Sequence, residues 1–532
     1  MRGCVVKILC LVSFTFGTLY GKNTLIMAVS SNIGVMNPQG YQGNAMFAQN
    51  SIYEGLVSVD KKGNIIPHLA TSWQISTDGL SYTFTLRKGV RFSNGEAFNA
   101  DAVLINFESI LKNKVRHSWS SLVSHIESVK KLDDYSIKLT LKAPYSPTLN
   151  ELAVVRPFRF LAPSAFPKDL DLIKHNPKPI GTGAYMLADS KLGISDTLQK
   201  NPHYWDAKRY NGIYYDEILL KVIFDPNAKL AALKSGQIDL IYGNDQIPLE
   251  IFKSMQNDKK FATYMSLPLS TTSLVFNSSS HNLKLSLNGD FTLNQKLRKG
   301  LGSMIDKQRL VLAVYGGLQD SAQCLMSCEY QGKKPLQSDM TDSKAFVLTL
   351  FNQKENTFNG VNPAVLENLT QKGIEILFSG DNPAHKMMAE IVQSDLQKAG
   401  VKVRLRASEP SMYRNALLKG QFDLAFGETW GAPYEPLSVL YSMLVPGHID
   451  FSAQSGLENK PLLEKALREV IGLNPESKGF RDMLEKVLGM LEESGVYLPL
   501  TLQKNKAIAH RKIKGIQMGV VGYEVPFWEM YE

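Results

Sequence analysis

LKSGQIDLIYG at 233–243 and LKGQFDLAFG at 418–427 are two copies of one local design. In each, a helix runs into a glycine able to take positive φ, and a short strand carrying one aspartate follows at once. The segments upstream, DPNAKLAALK and EPSMYRNALLK, both open with an acidic residue and proline. HKMMAEIVQSDLQKAGVKVRLR, 385–406, adds another amphipathic helix that ends at Gly400 before a strand. Helix, glycine, strand units of this kind predict an α/β architecture built from two analogous lobes.

At 532 residues the chain is too long for one core, so two or three domains are expected. Its 44% hydrophobic and 20% charged residues are those of an ordinary soluble protein. The net charge of +9 is spread along the sequence rather than gathered in runs, which argues against nucleic acid as a partner. The N-terminus MRGCVVKILCLVSFTFGTLYGKN places Arg2 and Lys7 before an apolar run and small Gly21 after it, the pattern of a secretory signal over residues 1–21. Its removal leaves a charge of +7. Leu9 precedes Cys10 where a lipidation site wants a small residue, so an exported, soluble protein of the periplasm is expected over a lipid-anchored one. Cys324 and Cys328 then remain; export permits a local disulfide, and a disulfide or free thiols are expected over the alternative of a soft-metal site, because two sulfurs stand there without nearby histidines.

Elsewhere, SYTFTLRKGVRF (81–92) is a candidate strand pair, and Asn99 can cap a helix over ADAVLINFESIL. SIKLTLKA alternates as a strand does, and Ser146-Pro147 starts a short helix to Ala153. That helix delivers the chain into ELAVVRPFRFLAPSAF (151–166), an apolar segment that carries Arg156 and Arg159. Arginine is almost never buried without a partner, so this segment needs one.

The chain offers little for catalysis. It has no Walker loop, no G-x-S-x-G and no H-E-x-x-H, and the lone G-x-G of PIGTGAY (179–185) is read as a turn. The closest two of its nine histidines are eight residues apart, so a local motif gives a metal few ligands. A zinc-dependent hydrolase built on His448 would lack a second clustered ligand and an adjacent general base, and no enzyme is expected. Arg116 and Trp119 in VRHSWSS, with Trp430 and Tyr434 in ETWGAPYEP, combine guanidinium and planar groups in loop-like settings. They suit either core packing or a pocket in which arginines grip carboxylates between aromatic walls.

PHLATSWQISTDGLSYTFTLRKGVRFSNGEAFNADAV (67–103) resembles the segment shared by the periplasmic peptide- and nickel-binding proteins of ABC importers, solute-binding protein family 5. GNAMFAQNSIYEGLV, RHSW, ELAVVRPFRFLAPS, PIGTGAY, DLIYGN, TWGAPYEP and VPGHIDF resemble the nickel-binding branch, in order, from about residue 23 to the C-terminus.

The resemblance implies a two-lobed periplasmic solute-binding fold with hinge closure, lobe I enlarged by an extra subdomain. Lobe I would take residues 22–270 plus 501–532 and lobe II residues 271–500, with SLPLSTTSLVFN and YLPLTLQKN as the crossing strands. It implies capture of nickel(II), as cargo already wrapped in a small carboxylate-bearing chelator such as L-histidine, for delivery to the membrane permease of an ABC importer. No catalytic cofactor is implied, and a monomer is expected. Arg116 and Arg156 would pair with chelator carboxylates and His448 would ligate nickel, which accepts nitrogen donors readily. Tyr41, Met46, Trp119, Trp430 and Tyr434 would wall the pocket, while Arg159 would form a structural ion pair or face solvent. The chain departs from the familiar relative at Gln42, at Gly427 and Glu428, and at Tyr523, which would shrink the pocket if it points inward. A di- or oligopeptide ligand, gripped through Arg156, is the alternative.

Overall fold

The computed structural model describes residues 22–40, 46–172, 174–210, 212–243, 246–286, 290–328, 337–352, 360–429, 436–475 and 477–532. The segment 1–21, expected to be a secretory signal, lies outside them, as do Tyr41, Gln42, Trp430 and Tyr434. Among the described residues no helix is long and apolar enough to cross a membrane.

The two sequence copies fold alike. Asp225 and Glu409 each accept hydrogen bonds from first-turn amides of the helices Pro226–Lys234 and Pro410–Leu418. Past each helix, Gly236 (φ 77°) and Gly420 (φ 65°) turn the chain into the strands Leu240–Tyr242 and Leu424–Glu428. The aspartates then do the same work in both copies. Asp239 Oδ2 accepts from the amide of Ile26, 3.0 Å, and Asp423 Oδ2 from the amide of Glu375, 2.9 Å. Each thereby clamps its strand to a parallel neighbour, Thr24–Val29 in the first copy and Ile374–Ser379 in the second.

Two long strands, Phe261–Phe276 and Tyr497–His510, join the copies into one eleven-stranded sheet among the described residues. They pair antiparallel from Phe261 opposite His510 to Val275 opposite Tyr497. Their register slips around Pro268 and again between Thr272 and Ser273. Proline donates no ladder bond, so the ladder is weakest where the two strands pass from one half of the molecule to the other. Apolar cores flank this crossing. One gathers Leu25, Leu198, Leu220 and Ala509, the other Leu274, Ile376, Leu424 and Leu500.

The extra subdomain is a separate four-stranded sheet of Ala70–Ile75, Ser81–Leu86, Ser136–Leu141 and Ile126–Asp133. Only the first half of SYTFTLRKGVRF is a strand of that sheet; Gly89 turns the chain at φ 79°, and Arg91 makes a single bridge to Ala97. Asn99 caps the helix Ala100–Lys112 as expected. The subdomain core, including Phe84 and Leu139, is continuous with Leu467 and Leu488 on the helices Lys460–Gly472 and Lys478–Ser494 of the second half. Ser146 takes part in this contact instead of capping. The helix begins at Thr148, and the Ser146 hydroxyl donates to the carbonyls of Ile471 and Leu473. Cys324 and Cys328 form a disulfide, with Cα atoms 5.4 Å apart.

Candidate functional site

One wall of the site starts from two glycines. A side chain on Gly181 would place its Cβ 2.0 Å from the Ile52 carbonyl oxygen, and one on Gly183 would lie 2.4 Å from that of Ser51. PIGTGAY is therefore a close backbone approach as well as a bend, with the Gly183 amide donating to Ile52 at 2.9 Å. It pins the far end of the helix Met46–Ile52, whose first residue lines a cavity of about 190 Å³ together with Tyr523, Tyr242 and Asn505. Asn505, on the long strand Tyr497–His510, donates to the Gly522 carbonyl at 3.1 Å, and Tyr242 Oη to that of Glu524 at 2.9 Å. Those two bonds hold the loop that carries Tyr523.

The two arginines of the apolar segment find different partners. Arg156 is 5% exposed, and its Nη1 donates to the Gly40 carbonyl at 2.5 Å. Tyr523 bonds to the Val155 backbone and feels both guanidinium groups, so Arg156 and the Met46–Tyr523 cavity are neighbours. Arg159 does not face solvent. Its Nη2 donates to Ala153 O at 2.9 Å and Asn50 Oδ1 at 3.2 Å, and Nη1 lies against the backbone of Gly55. Burial pulls its pKa down, while Tyr523, Glu524 and Glu54 favour its charge. It is a structural arginine, held by uncharged oxygens rather than by the ion pair expected, with Glu524 and Glu54 near enough to favour its charge.

Arg116 and Trp119 lie in the turn after the helix Ala100–Lys112, with Arg116 exposed and Trp119 half-buried. Glu151 anchors that turn. Its buried carboxylate accepts from Ser120 Oγ at 2.6 Å and from the Leu122 amide at 3.0 Å. Glu151 belongs to the helix Thr148–Ala153 that feeds into Arg156, so one carboxylate ties the two arginine-bearing segments together. Between them His117 is fully buried, and burial, with Arg116 beside it, pushes its pKa down to about 4.

His448 sits in the other half of the molecule. Gly447 at φ 91° makes the turn, and His448 stands at the N-cap of Ile449–Gln454 without spending its side chain on the cap. Burial pushes its pKa down; Asp450 opposes this and Arg414 adds to it. The ring is thus kept neutral, with a nitrogen lone pair available to a metal. Asp450 accepts from Tyr497 Oη at 2.9 Å and Ser442 Oγ at 3.1 Å, and Gln454 donates to Tyr497 Oη at 2.7 Å. Tyr497 opens the second long strand, so the His448 loop is bonded to the element that crosses between the halves. Glu428, half exposed at the end of its strand, borders the same region with Thr429 and Asp450.

Of the residues singled out from sequence, the structure thus brings Met46, Tyr523 and Arg156 together, ties Arg116 and Trp119 to the same subdomain, and sets His448 on the opposing half. Tyr41, Trp430 and Tyr434 lie outside the described residues. Sequence reasoning missed Glu151, Asp450 and Tyr497. An acidic residue at the head of an apolar stretch was the available signal for Glu151; the other two are set by tertiary contact alone. Among the described residues no three His, Cys, Asp or Glu side chains gather in a way that could hold a metal ion.

The fold and this two-sided arrangement define a class, the two-lobed solute-binding proteins. The chain belongs to the bacterial extracellular solute-binding proteins, family 5, whose description matches residues 64–451. Within that family it is 36% identical over 504 residues to the nickel-binding periplasmic protein of Escherichia coli K12, covering 93% of this chain and 92% of that protein. It is 35% identical to NikA from Brucella suis, solved in complex with Fe(III)-EDTA, with a TM-score of 0.83 over 96% of this chain and 99% of the other. NikZ from Campylobacter jejuni, solved in complex with Ni(L-His), shares the fold at 23% identity, with a TM-score of 0.71 over 96% of this chain and all of the other.

Proposed function

We propose that this protein captures nickel(II) as a complex with a small carboxylate-bearing chelator in the periplasm, after removal of residues 1–21, and passes it as a monomer to the permease of an ABC importer. The observation that carries the reading is the division of chemistry between the halves: guanidinium groups on one, a neutral, uncommitted imidazole on the other. The names of the two relatives above 30% identity agree with it.

In this reading Arg156 and Arg116 grip chelator carboxylates by charge-assisted hydrogen bonds, and His448 completes the nickel coordination from the opposite lobe. Tyr41, Met46, Trp119, Trp430, Tyr434 and Tyr523 exclude water around the complex. A chelate that carries most of the donors explains why a single protein ligand suffices. Lobe I comprises residues 22–270 and 501–532 and lobe II residues 271–500, hinged where the two long strands slip register. Only the closed arrangement lets both halves touch the cargo, so binding favours closure. The Ser146 contact to Ile471 then belongs to the closed state. Glu428 and Tyr523 make this cleft more acidic and narrower than the family pattern, which favours a compact chelator.

Native mass spectrometry of the mature protein with nickel and L-histidine tests the proposal. A retained mass of one nickel plus chelator is expected. A bare peptide mass from the purified protein, with no uptake of the nickel complex, would move the protein to the peptide-binding alternative.

A further inference from the structure

A second cavity, of about 520 Å³, is lined wholly by residues of the second half of the molecule and by neither Arg116, Arg156 nor His448, although Tyr497 and Leu325 line both it and the pocket beside Asp450. Phe276, Leu488 and Leu491 give it apolar walls, and Arg298, Lys307 and Lys344 bring cationic groups to it. Arg298 is 2% exposed. Its Nε donates to the Ser494 carbonyl at 2.9 Å, but its Nη2 is buried with no hydrogen-bond partner. Burial pulls its pKa down to about 10, with Glu458 opposing. Lys307 is also depressed by burial, and its Nζ donates to the Ala322 carbonyl at 2.8 Å. Exposed Glu492 and Glu493 also border the cavity.

Buried polar groups are almost always paired, and a guanidinium whose N–H lacks an acceptor is among the most costly exceptions. An apolar chamber with such a group in its wall is complementary to a molecule with a hydrocarbon body and an anionic head. We infer that this chamber is a second ligand site, independent of the cleft, that takes a small amphipathic carboxylate with its head on Arg298 and Lys344 and its chain against Phe276 and the two leucines. A carboxylate that reaches Arg298 Nη2, which is closed to solvent in the unliganded protein, would satisfy its unpaired N–H by a charge-assisted hydrogen bond.

The probe is octanoate, titrated calorimetrically into the mature, full-length protein, with octan-1-ol as the neutral control. Saturable one-to-one binding of octanoate is expected, with octanol at least tenfold weaker. Lys344 is exposed, so Lys344→Glu should fold normally, bind nickel with L-histidine as the wild type does, and weaken octanoate roughly tenfold or more. Arg298→Met should do the same if it folds. His448→Ala should leave octanoate binding unchanged. The inference is overturned if octanoate fails to bind at millimolar concentration, if octanol binds equally well, if Lys344→Glu has no effect, or if His448→Ala abolishes binding.

Discussion

Arg156 donates to the Gly40 carbonyl from a nearly closed environment beside Tyr523, where its guanidinium would meet a chelator carboxylate. A hydrogen bond to a charged group contributes about 1.5–3 kcal/mol, so Arg156→Ala should weaken chelate binding roughly ten- to hundredfold. Arg156→Lys should recover little of it, because an ammonium lacks the planar fork. Calorimetry on the two variants checks both expectations; full rescue by lysine would mean that charge alone is used. His117 makes a separate prediction about stability. Its folded pKa is near 4 against an ordinary 6.5, so the unfolded chain binds a proton that the native state refuses. Stability from this group is therefore complete above about pH 6.5 and falls by up to about 1.4 kcal/mol per unit as pH drops toward 4, then flattens. Urea unfolding between pH 7 and 4 should show a shallower slope for His117→Gln than for the wild type. Equal slopes would contradict the assignment.

The units that repeat in sequence are the ones that repeat in space. Acid-proline starts, glycine stops and a single strand aspartate are local signals, and they predicted the helices at Pro226 and Pro410 and the strands after them, while the long crossing strands were expected from the family resemblance. The arginines and His448 were legible only through the ordered family motifs. What held them was not legible: Glu151 reaches Ser120 across 31 positions and Tyr497 reaches Asp450 across 47, and no local pattern announces such pairs. PIGTGAY was read only as a turn because its requirement for glycine comes from a helix some 130 residues away in sequence. That requirement is testable. A methyl at Gly181 would meet the Ile52 carbonyl at 2.0 Å, and relieving it must move the helix Met46–Ile52. Gly181→Ala should destabilise by about 1–3 kcal/mol, as overpacking does, and weaken cargo binding as well. Thermal melts and calorimetry would read the two effects; an unchanged melt would mean that the approach is looser than described.

At the scale of the molecule, the subdomain touches the second half through the Ser146 bonds and through rings. Tyr441 stands 5.6 Å from Tyr145 and 5.9 Å from His125, edge to face with both. Aromatic pairs of this kind contribute about 0.5–1.5 kcal/mol each beyond their burial. If they hold the closed form, Tyr441→Ala should shift the unliganded protein toward an open state with a larger radius of gyration by small-angle scattering. Adding nickel with L-histidine should restore the smaller value. A variant with the wild-type radius in both conditions would show that this contact does not govern closure.

The claim on which the account stands is that the metal arrives already wrapped, with the protein supplying one imidazole and two guanidinium groups. Calorimetric titration of the metal-stripped mature protein with nickel, with and without excess L-histidine, tests it most directly. Tight binding with the chelator, little without it, and loss of the chelator-dependent signal in His448→Ala are expected. Equally tight binding of bare nickel, unchanged by His448→Ala, would contradict it.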